Sequence, residues 1–436
     1  MSRSTAVPKH RGTRLWRLGR LAGGMAGGML SEGMRQWSSG KRPSGRELFL
    51  TPGNAQRMAD QLSQMRGAAM KMGQLLSMEA GEILPKEFVE VLDRLREDAH
   101  YMPHRQLIRV LDEAWGEGWE RRFAHFPFTP MAAASIGQVH KARLKEGPEV
   151  AVKVQYPGVR ESIASDVDNV ARLIRFFGVF PPDMDLSPLM EEAKQQLYAE
   201  ADYRQEAEWI RTYAARLGEQ DTFVLPQVVE DLTTEHVLTM TYVPGAPIES
   251  LLDAPQWLRN EIAAQFIELT FREIFAWGLV QTDPNFANYR YDRETGRIGL
   301  LDFGATRAFG EDIQRHLAAF CRAAIDQDGA AMVAAAVAAG YFAPEEAERY
   351  HRDFAELALI AAEPLHGGSY DFGQTRINSR IRDRLLEMDF DRRFLKLPTP
   401  ELMFIQRKLG GLFMLAVRLR AEVDVGAIVQ RYLAAY

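Results

Sequence analysis

Cysteine is all but missing from this 436-residue chain, in which Cys321 stands alone. Disulfides within the chain and cysteine-rich metal centres are therefore excluded, and a reducing compartment fits best. Long apolar runs are missing too. The longest near the start, Leu21–Leu30, has ten residues rich in Gly and Ala, whereas a helix needs ~20 to cross a hydrocarbon core. No small-x-small cleavage site follows it to open a mature domain, so it is also a poor signal peptide. Ala330–Ala339 is equally short and reads as a core helix. Acidic side chains are scarce at one end only. Residues 1–46 hold ten Lys/Arg and a single acid, Glu32, a net charge of +9. With −6 overall the remainder carries −15, and so acidic a body argues against a nucleic-acid binder.

What remains is an ordinary globular composition, 46% hydrophobic and 26% charged, with length for two or three domains. In the basic head Leu15, Trp16, Leu18, Leu21 and Met25 form an apolar stripe beside arginines. The head is either a solvated arm or an interfacial helix on anionic lipid, where each basic residue contributes about 1 kcal/mol. The small-residue run Gly23–Gly28 offers a helix-packing surface for a homodimer. After a turn at TPGNAQ (51–56), helical spacing covers Met58–Leu76 and Ile83–Leu95. From about 125 the period changes to two. Val150, Val152 and Val154 alternate with Ala151 and Lys153, which places Lys153 on the opposite face of a strand from the valines. A long helical region is expected over 186–217. A strand over Glu235–Val243 ends at Pro244-Gly245, where a hinge between lobes fits, and a helix follows over 258–277. Two short strands, Asn288–Tyr291 and Ile298–Asp302, are joined by a DRETG turn. Beyond about 310 the pattern is helical, apart from a Gly-rich loop at His366–Gly373.

The residues able to do chemistry lie between 131 and 304. A small-residue loop, AAASIGQV (132–139), precedes a strand bearing VAVK, whose lysine is Lys153. The helical region supplies the acids Glu200, Asp202 and Glu206. Asp283 follows, with Asn288 five residues on, and Asp302-Phe303-Gly304 ends a strand. Phosphoryl transfer from a nucleotide needs such a set. A tight backbone must cover the phosphates, and a lysine pinned by a carboxylate must hold the α/β oxygens. An Asp and an Asn must ligate Mg²⁺, and another Asp must orient the acceptor. Each piece alone has a bland explanation, such as a solvated strand lysine or an aspartate opening a turn. Order and spacing together discriminate. A second Asp-Phe-Gly, at Asp371, shows how weak one piece is: no strand precedes it, no DxxxxN stands close upstream, and it reads as a loop.

These motifs resemble the UbiB/AarF family of atypical protein-kinase-like proteins, and especially its branch of mitochondrial coenzyme Q biosynthesis ATPases, in QTDPNFAN and LLDFGATR. Lys71-Met72-Gly73-Gln74 resembles that family's KxGQ signature, Ala132-Ala133-Ala134 its Ala-rich loop, and EADYRQEAE (200–208) its ExD stretch. The resemblance implies an α+β, protein-kinase-like two-lobed fold. Its parts are a basic head over 1–50, a helical KxGQ extension over 51–120, an N-lobe over 121–245 and a helix-rich C-lobe over 246–436. It implies that Lys153, held by Glu206, contacts the α/β phosphates of ATP, while Ala132, Ala133, Ala134, Ser135 and Gly137 cover them. Asn288 and Asp302 take Mg²⁺, and Asp283 is catalytic. Lys71 and Gln74 regulate access, with Lys71 reaching toward Glu200 and Asp202. The implied activity is Mg-dependent ATP binding and hydrolysis in support of ubiquinone biosynthesis. The implied setting is cytoplasmic and peripheral to the inner membrane, with an anionic or quinone-precursor lipid and enzymes of that pathway as partners.

Departures from ordinary kinases point the same way. Three alanines and one late glycine, Gly137, stand where three glycines are usual, and alanine stiffens the loop. The catalytic loop begins Gln281-Thr282-Asp283, without the usual His and Arg before the aspartate. After Gly304 comes ATRAFGED, with no Ala-Pro-Glu and no room for a peptide-docking platform. Asp283 is then expected to orient water or a small acceptor. The missing platform disfavours a protein Ser/Thr kinase. Retention of Lys153, Asp283, Asn288 and Asp302 together disfavours a non-catalytic nucleotide-binding scaffold.

Overall fold

The computed structural model describes residues 67–68, 101–176, 187–218, 222–388 and 399–436. The basic head with Gly23–Gly28, the helices expected over Met58–Leu76 (save 67–68, which are helical) and Ile83–Leu95, and Lys71 and Gln74 lie outside the described residues. The chain divides into two units. One runs to Arg211 and resumes over Pro226–Tyr242; the other comprises Thr212–Leu225 and Val243–Tyr436.

The first unit opens its described part with α1 (His104–Trp115), β1 (Phe123–His125), β2 (Ala132–Ala133), β3 (Gly137–Leu144) and β4 (Glu149–Gln155). Then come α2 (Val159–Phe176), α3 (Ser187–Glu200) and α4 (Tyr203–Leu217), whose last turns belong to the second unit, as does β5 (Phe223–Val224); β6 (Val237–Thr241) closes the sheet. The strand order is β1-β3-β4-β6, antiparallel throughout, with β2 also paired to β3. β4 is central and buried on both faces. Val150, Val152 and Val154 point into a core with Leu107, Leu111 and Trp119, where each large apolar side chain contributes about 1.5–3 kcal/mol by burial. Around them Trp115, Trp119, Phe123 and Phe126 pack ring on ring, Trp119 and Phe126 at 5.0 Å. The opposite face carries Lys153 and Gln155, as the two-residue period requires. Gln155 Nε2 donates to Ala201 O at 2.9 Å and fixes β4 to the junction of α3 and α4.

The helical region expected over 186–217 consists of two helices, α3 and α4. Asp202 makes the break: its carboxylate accepts from the N–H groups of Arg204 (3.1 Å) and Gln205 (3.3 Å), the bonds of a helix N-cap. Gly137 has a steric reason to be glycine, because a Cβ there would fall 2.3 Å from the Val154 carbonyl oxygen.

The second unit places β7 (Ala246–Pro247), α5 (Gln256–Phe271), a π-helical turn Arg272–Trp277, β8 (Leu279–Gln281), β9 (Tyr289–Tyr291), β10 (Ile298–Leu300) and β11 (Thr306–Ala308). Helices α6 (Glu311–Ile325), α7 (Gly329–Ala338) and α8 (Pro344–Ala361) follow, then β12 (Tyr370–Asp371), α9 (Ile377–Glu387), α10 (Pro400–Leu419), β13 (Glu422–Val423) and α11 (Val425–Leu433). One sheet runs β5-β10-β9-β7, and β8 pairs with β11. The end of the Gly-rich loop at His366–Gly373 departs from expectation: Tyr370 and Asp371 pair with Val423 and Glu422, and Phe372 is buried. Their partner strand lies some fifty residues downstream, beyond the reach of any local pattern. Cys321 is buried on α6, and burial pushes its thiol up to about 12. No helix among the described residues is long and apolar enough to cross a membrane.

Gly137→Ala is expected to destabilise the chain by ~2 kcal/mol, the order of a core overpacking. A lowered urea midpoint at unchanged slope checks it.

Candidate functional site

In the first unit the site residues gather around Lys153. Its Nζ donates to both carboxylate oxygens of Glu206, at 2.6 and 2.9 Å, and the two side chains are 8% and 2% exposed. Register puts Lys153 between Val139 of β3 and Leu238 of β6. The Asp202 cap starts α4 so that Glu206 arrives in its first turn. The ammonium also lies over the Tyr203 ring, 5.5 Å from its centroid. Charges this buried are tolerated only when paired and hydrogen-bonded.

The expected loop over 132–139 is in fact a hairpin. Ala132 and Ala133 pair with Val139 and Gln138, and the Ala134 N–H donates to Gly137 O at 2.9 Å. Small side chains let β2 lie flat on β3 and leave Ser135 and Ile136 at the tip. Ser135 Oγ donates to Glu200 Oε2 at 2.8 Å, which joins the hairpin to the end of α3. A Cβ on Gly67 would meet Ile136 Cγ2 and Ser135 O, both at 3.1 Å, so the helical segment before the sheet touches the same tip. Glu200 and Asp202, two residues apart, therefore engage different partners: one holds the hairpin and the other caps α4.

In the second unit β8 delivers Asp283 and β10 delivers Asp302. The two ends are joined by backbone. The Thr282 N–H and Oγ1 both donate to Ala305 O, at 3.2 and 2.7 Å, and Gln281 Nε2 donates to Asp302 O at 3.2 Å. The Leu301 N–H donates to Asn288 O at 3.0 Å. Asn288, Asp302, Gln281 and Lys408 line one small cavity, and Asn288 Nδ2 is buried there without a hydrogen-bond partner. Asp302 Oδ1 accepts from the Gly304 N–H at 3.1 Å. Asp371 does the same with Gly373, at 2.8 Å. The turn is common to both Asp-Phe-Gly sequences; the asparagine and the cavity belong to the first.

Four more residues join this unit's site that the motifs do not show. Arg407 Nη2 donates to Asp283 Oδ1 at 3.0 Å. Lys408 Nζ lies 3.0 Å from Glu273 Oε2, and Tyr213 donates its hydroxyl to Glu273 Oε1 at 3.0 Å. Burial pushes the Glu273 carboxyl up against the pull of Lys408. Burial works to lower Lys408, but Glu273, Tyr289 and Asp283 together outweigh it and raise the ammonium above its ordinary value. Burial also holds the Tyr213 phenol far above its usual range. Glu273 sits in the π-helical turn, where Gln314 Nε2 takes up the Ile274 carbonyl at 2.6 Å; such turns recur at functional sites. The one sequence signal for these residues is the adjacent pair Arg407-Lys408 inside a stretch whose other residues, Gln406 apart, carry no polar side chain, LMFIQRKLGGLFML.

Among the described residues no group of three His, Cys, Asp or Glu is placed to hold a metal alone. Asn288 and Asp302 fit Mg²⁺ on another ground. They offer hard oxygen donors on one cavity, and Mg²⁺ characteristically takes one or two protein ligands and completes its shell with phosphate and water. The amide of Asn288 is not locked by the protein.

A family model for the ABC1 atypical kinase-like domain matches residues 94–336. The chain belongs to the ABC1 atypical kinase-like family. Relatives match along nearly all of it. Atypical kinase COQ8, mitochondrial, of Saccharomyces cerevisiae is 36% identical over 97% of this chain and 84% of its own. Atypical kinase COQ8B, mitochondrial, of Rattus norvegicus is 37% identical over 97% and 80%. Atypical kinase coq-8, mitochondrial, of Caenorhabditis elegans is 36% identical over 98% of this chain, which spans 58% of that longer protein. Among solved structures, the Rv3197–erythromycin complex from Mycobacterium tuberculosis matches with a TM-score of 0.59 and 27% identity, over 86% of this chain and 96% of its own. The mixed helix-and-sheet architecture is that of the family's kinase-like fold.

Lys408→Met strands the Glu273 carboxyl in the interior and is expected to cost about 3–5 kcal/mol. Adding Glu273→Gln should restore most of that loss, which urea unfolding of the single and double variants measures.

Proposed function

We propose that the chain binds ATP with Mg²⁺ and hydrolyses it at a membrane surface, in support of coenzyme Q biosynthesis. The observation that supports this most is the buried, two-pronged Lys153–Glu206 pair on the central strand of the first unit. A structural role alone does not call for so costly a charge, since an apolar pair of similar volume is often as stable. In this reading Lys153 contacts the α/β phosphates, and the Ala132–Gly137 hairpin, with Ala133, Ala134 and Ser135, covers them. Asn288 and Asp302 would hold Mg²⁺, which would supply positive charge against that of the phosphates. Asp283 orients the acceptor. Lys71 and Gln74 regulate the site together with Glu200 and Asp202.

Hydrolysis is favoured over protein phosphorylation by the chain's economy after Gly304. β11 ends at Ala308, and α6 begins at Glu311. No peptide-docking segment fits between them. The basic head, with its net charge of +9, supports attachment to anionic lipid from the cytoplasmic side of an inner membrane. The coenzyme Q assignment is carried over from the COQ8 relatives, whose names place them in mitochondria.

The test is phosphate release from ATP and Mg²⁺, with and without anionic liposomes, by the wild type and Asp302→Asn. Liposomes should raise turnover, and Asp302→Asn should lower it by at least ~100-fold through loss of a metal ligand. ATP binding without phosphate release under every condition would instead establish a nucleotide-binding scaffold.

A further inference from the structure

The sequence Gln281-Thr282-Asp283 puts no basic residue beside the aspartate, yet in the fold a guanidinium meets its carboxylate. Arg407 Nη2 stands 3.0 Å from Asp283 Oδ1, with side chains 4% and 16% exposed. The two residues are 124 positions apart. Arg407 lies on α10 one turn before Gly411, so both face the same way. At Gly411 the helix backbone rests against the next residue of the loop: a Cβ there would fall 2.1 Å from Pro284 Cβ and 2.3 Å from Cγ. The Asp283-Pro284 dipeptide is therefore seated on α10 at two points, one ionic and one steric. Lys408, beside Arg407, is anchored 3.0 Å from Glu273 of the π-helical turn, which fixes the rotation of α10 about its axis.

We propose that Arg407 is the positioning residue of Asp283, a cation supplied in cis by α10. The inference rests on the phosphoryl-transfer reading above and deepens it. A carboxylate that orients an acceptor must work beside the negative charge of the transferring phosphate, which repels it. A guanidinium on Oδ1 offsets that charge and fixes the carboxylate rotamer. Its planar fork sets direction as well as charge, which an ammonium does not. The Asp283 carboxylate turns its other oxygen, Oδ2, to the acceptor. α10 thus belongs to the reaction centre, although no motif marks it.

The experiment uses the full chain as wild type, Arg407→Met, Arg407→Lys, Asp283→Asn and the double variant Arg407→Met/Asp283→Asn. Arg431→Met, which breaks an exposed ion pair to Glu268, is the control. Phosphate release gives kcat and KM, a fluorescent ATP analogue gives Kd, and thermal midpoints report folding. Arg407→Met should lose about 10–100-fold in kcat, the scale of a misplaced catalytic group, with KM and Kd within ~2-fold of wild type. Arg407→Lys should fall between, and the double variant should be no slower than Asp283→Asn, since residues acting as a unit are not additive. A kcat for Arg407→Met within twofold of wild type overturns the proposal. So do losses that multiply in the double variant, or a Kd that worsens in step with the rate. Should Arg407→Met not fold, Arg407→Lys decides, and a wild-type kcat for it overturns the proposal. If the wild type binds ATP but releases no phosphate, the hydrolysis reading fails and this inference falls with it; if the wild type turns over and only the Arg407 result fails, the hydrolysis reading stands.

Discussion

An ammonium group on a central strand, walled in by the strands on either side, survives only because a carboxylate comes to it. Much of the first unit is arranged around that requirement. The Asp202 cap starts α4 at the right residue, α4 presents Glu206 in its first turn, and Gln155 ties β4 to the same junction. Removing the carboxylate leaves a buried charge unmatched, which costs several kcal/mol, far more than a surface pair is worth. The second unit meets the same constraint on α10. Two adjacent buried cations are each matched by an acid from a different element, Arg407 by Asp283 and Lys408 by Glu273. Pairing of buried charge thereby ties α10 to two neighbouring segments of the second unit that lie far upstream of it in the chain.

The legible part of the structure is the part governed by local period. The alternation over Val150–Val154 shows the strand and the facing of Lys153, and the spacing from Asp283 to Asn288 and Asp302 shows the order of the site residues. What stays hidden depends on contacts between distant segments. No periodicity reports that Ala132 and Ala133 pair back onto β3, because two residues are too few to show a strand. The break at Asp202 is hidden for a different reason, since a capping aspartate inside a helical pattern looks like any other polar residue until its N–H partners are known. Arg407 is the extreme case. Its place beside Asp283 needs the whole helical C-terminus to be folded, and nothing near either residue in the chain announces the other.

The two Asp-Phe-Gly sequences make the point in miniature. Both aspartates accept a hydrogen bond from the glycine two residues on. The tripeptide therefore encodes a turn, and does so reliably. It does not encode what surrounds that turn. Asp302 differs because β10 brings it to β9, so that Asn288 lines the same cavity and Gln281 grips its backbone. Asp371 is paired instead with the segment that follows α10. Function here resides in what the sheet places around a turn.

The proposed reaction depends on what can reach Asp283. A peptide substrate would need an extended platform beside Asp283, and only two residues separate β11 from α6. That leaves α10 as the element seated against Asp283-Pro284, with an arginine and a bare glycine backbone where a docking surface would otherwise lie. A cation fixed on Oδ1 and a helix packed on the proline narrow the approach to Asp283, which is why the proposed reaction takes water as its acceptor. The missing His and Arg of the catalytic loop and the arginine far downstream are then two sides of one arrangement. The loop can omit its own basic residue because the fold brings one from elsewhere.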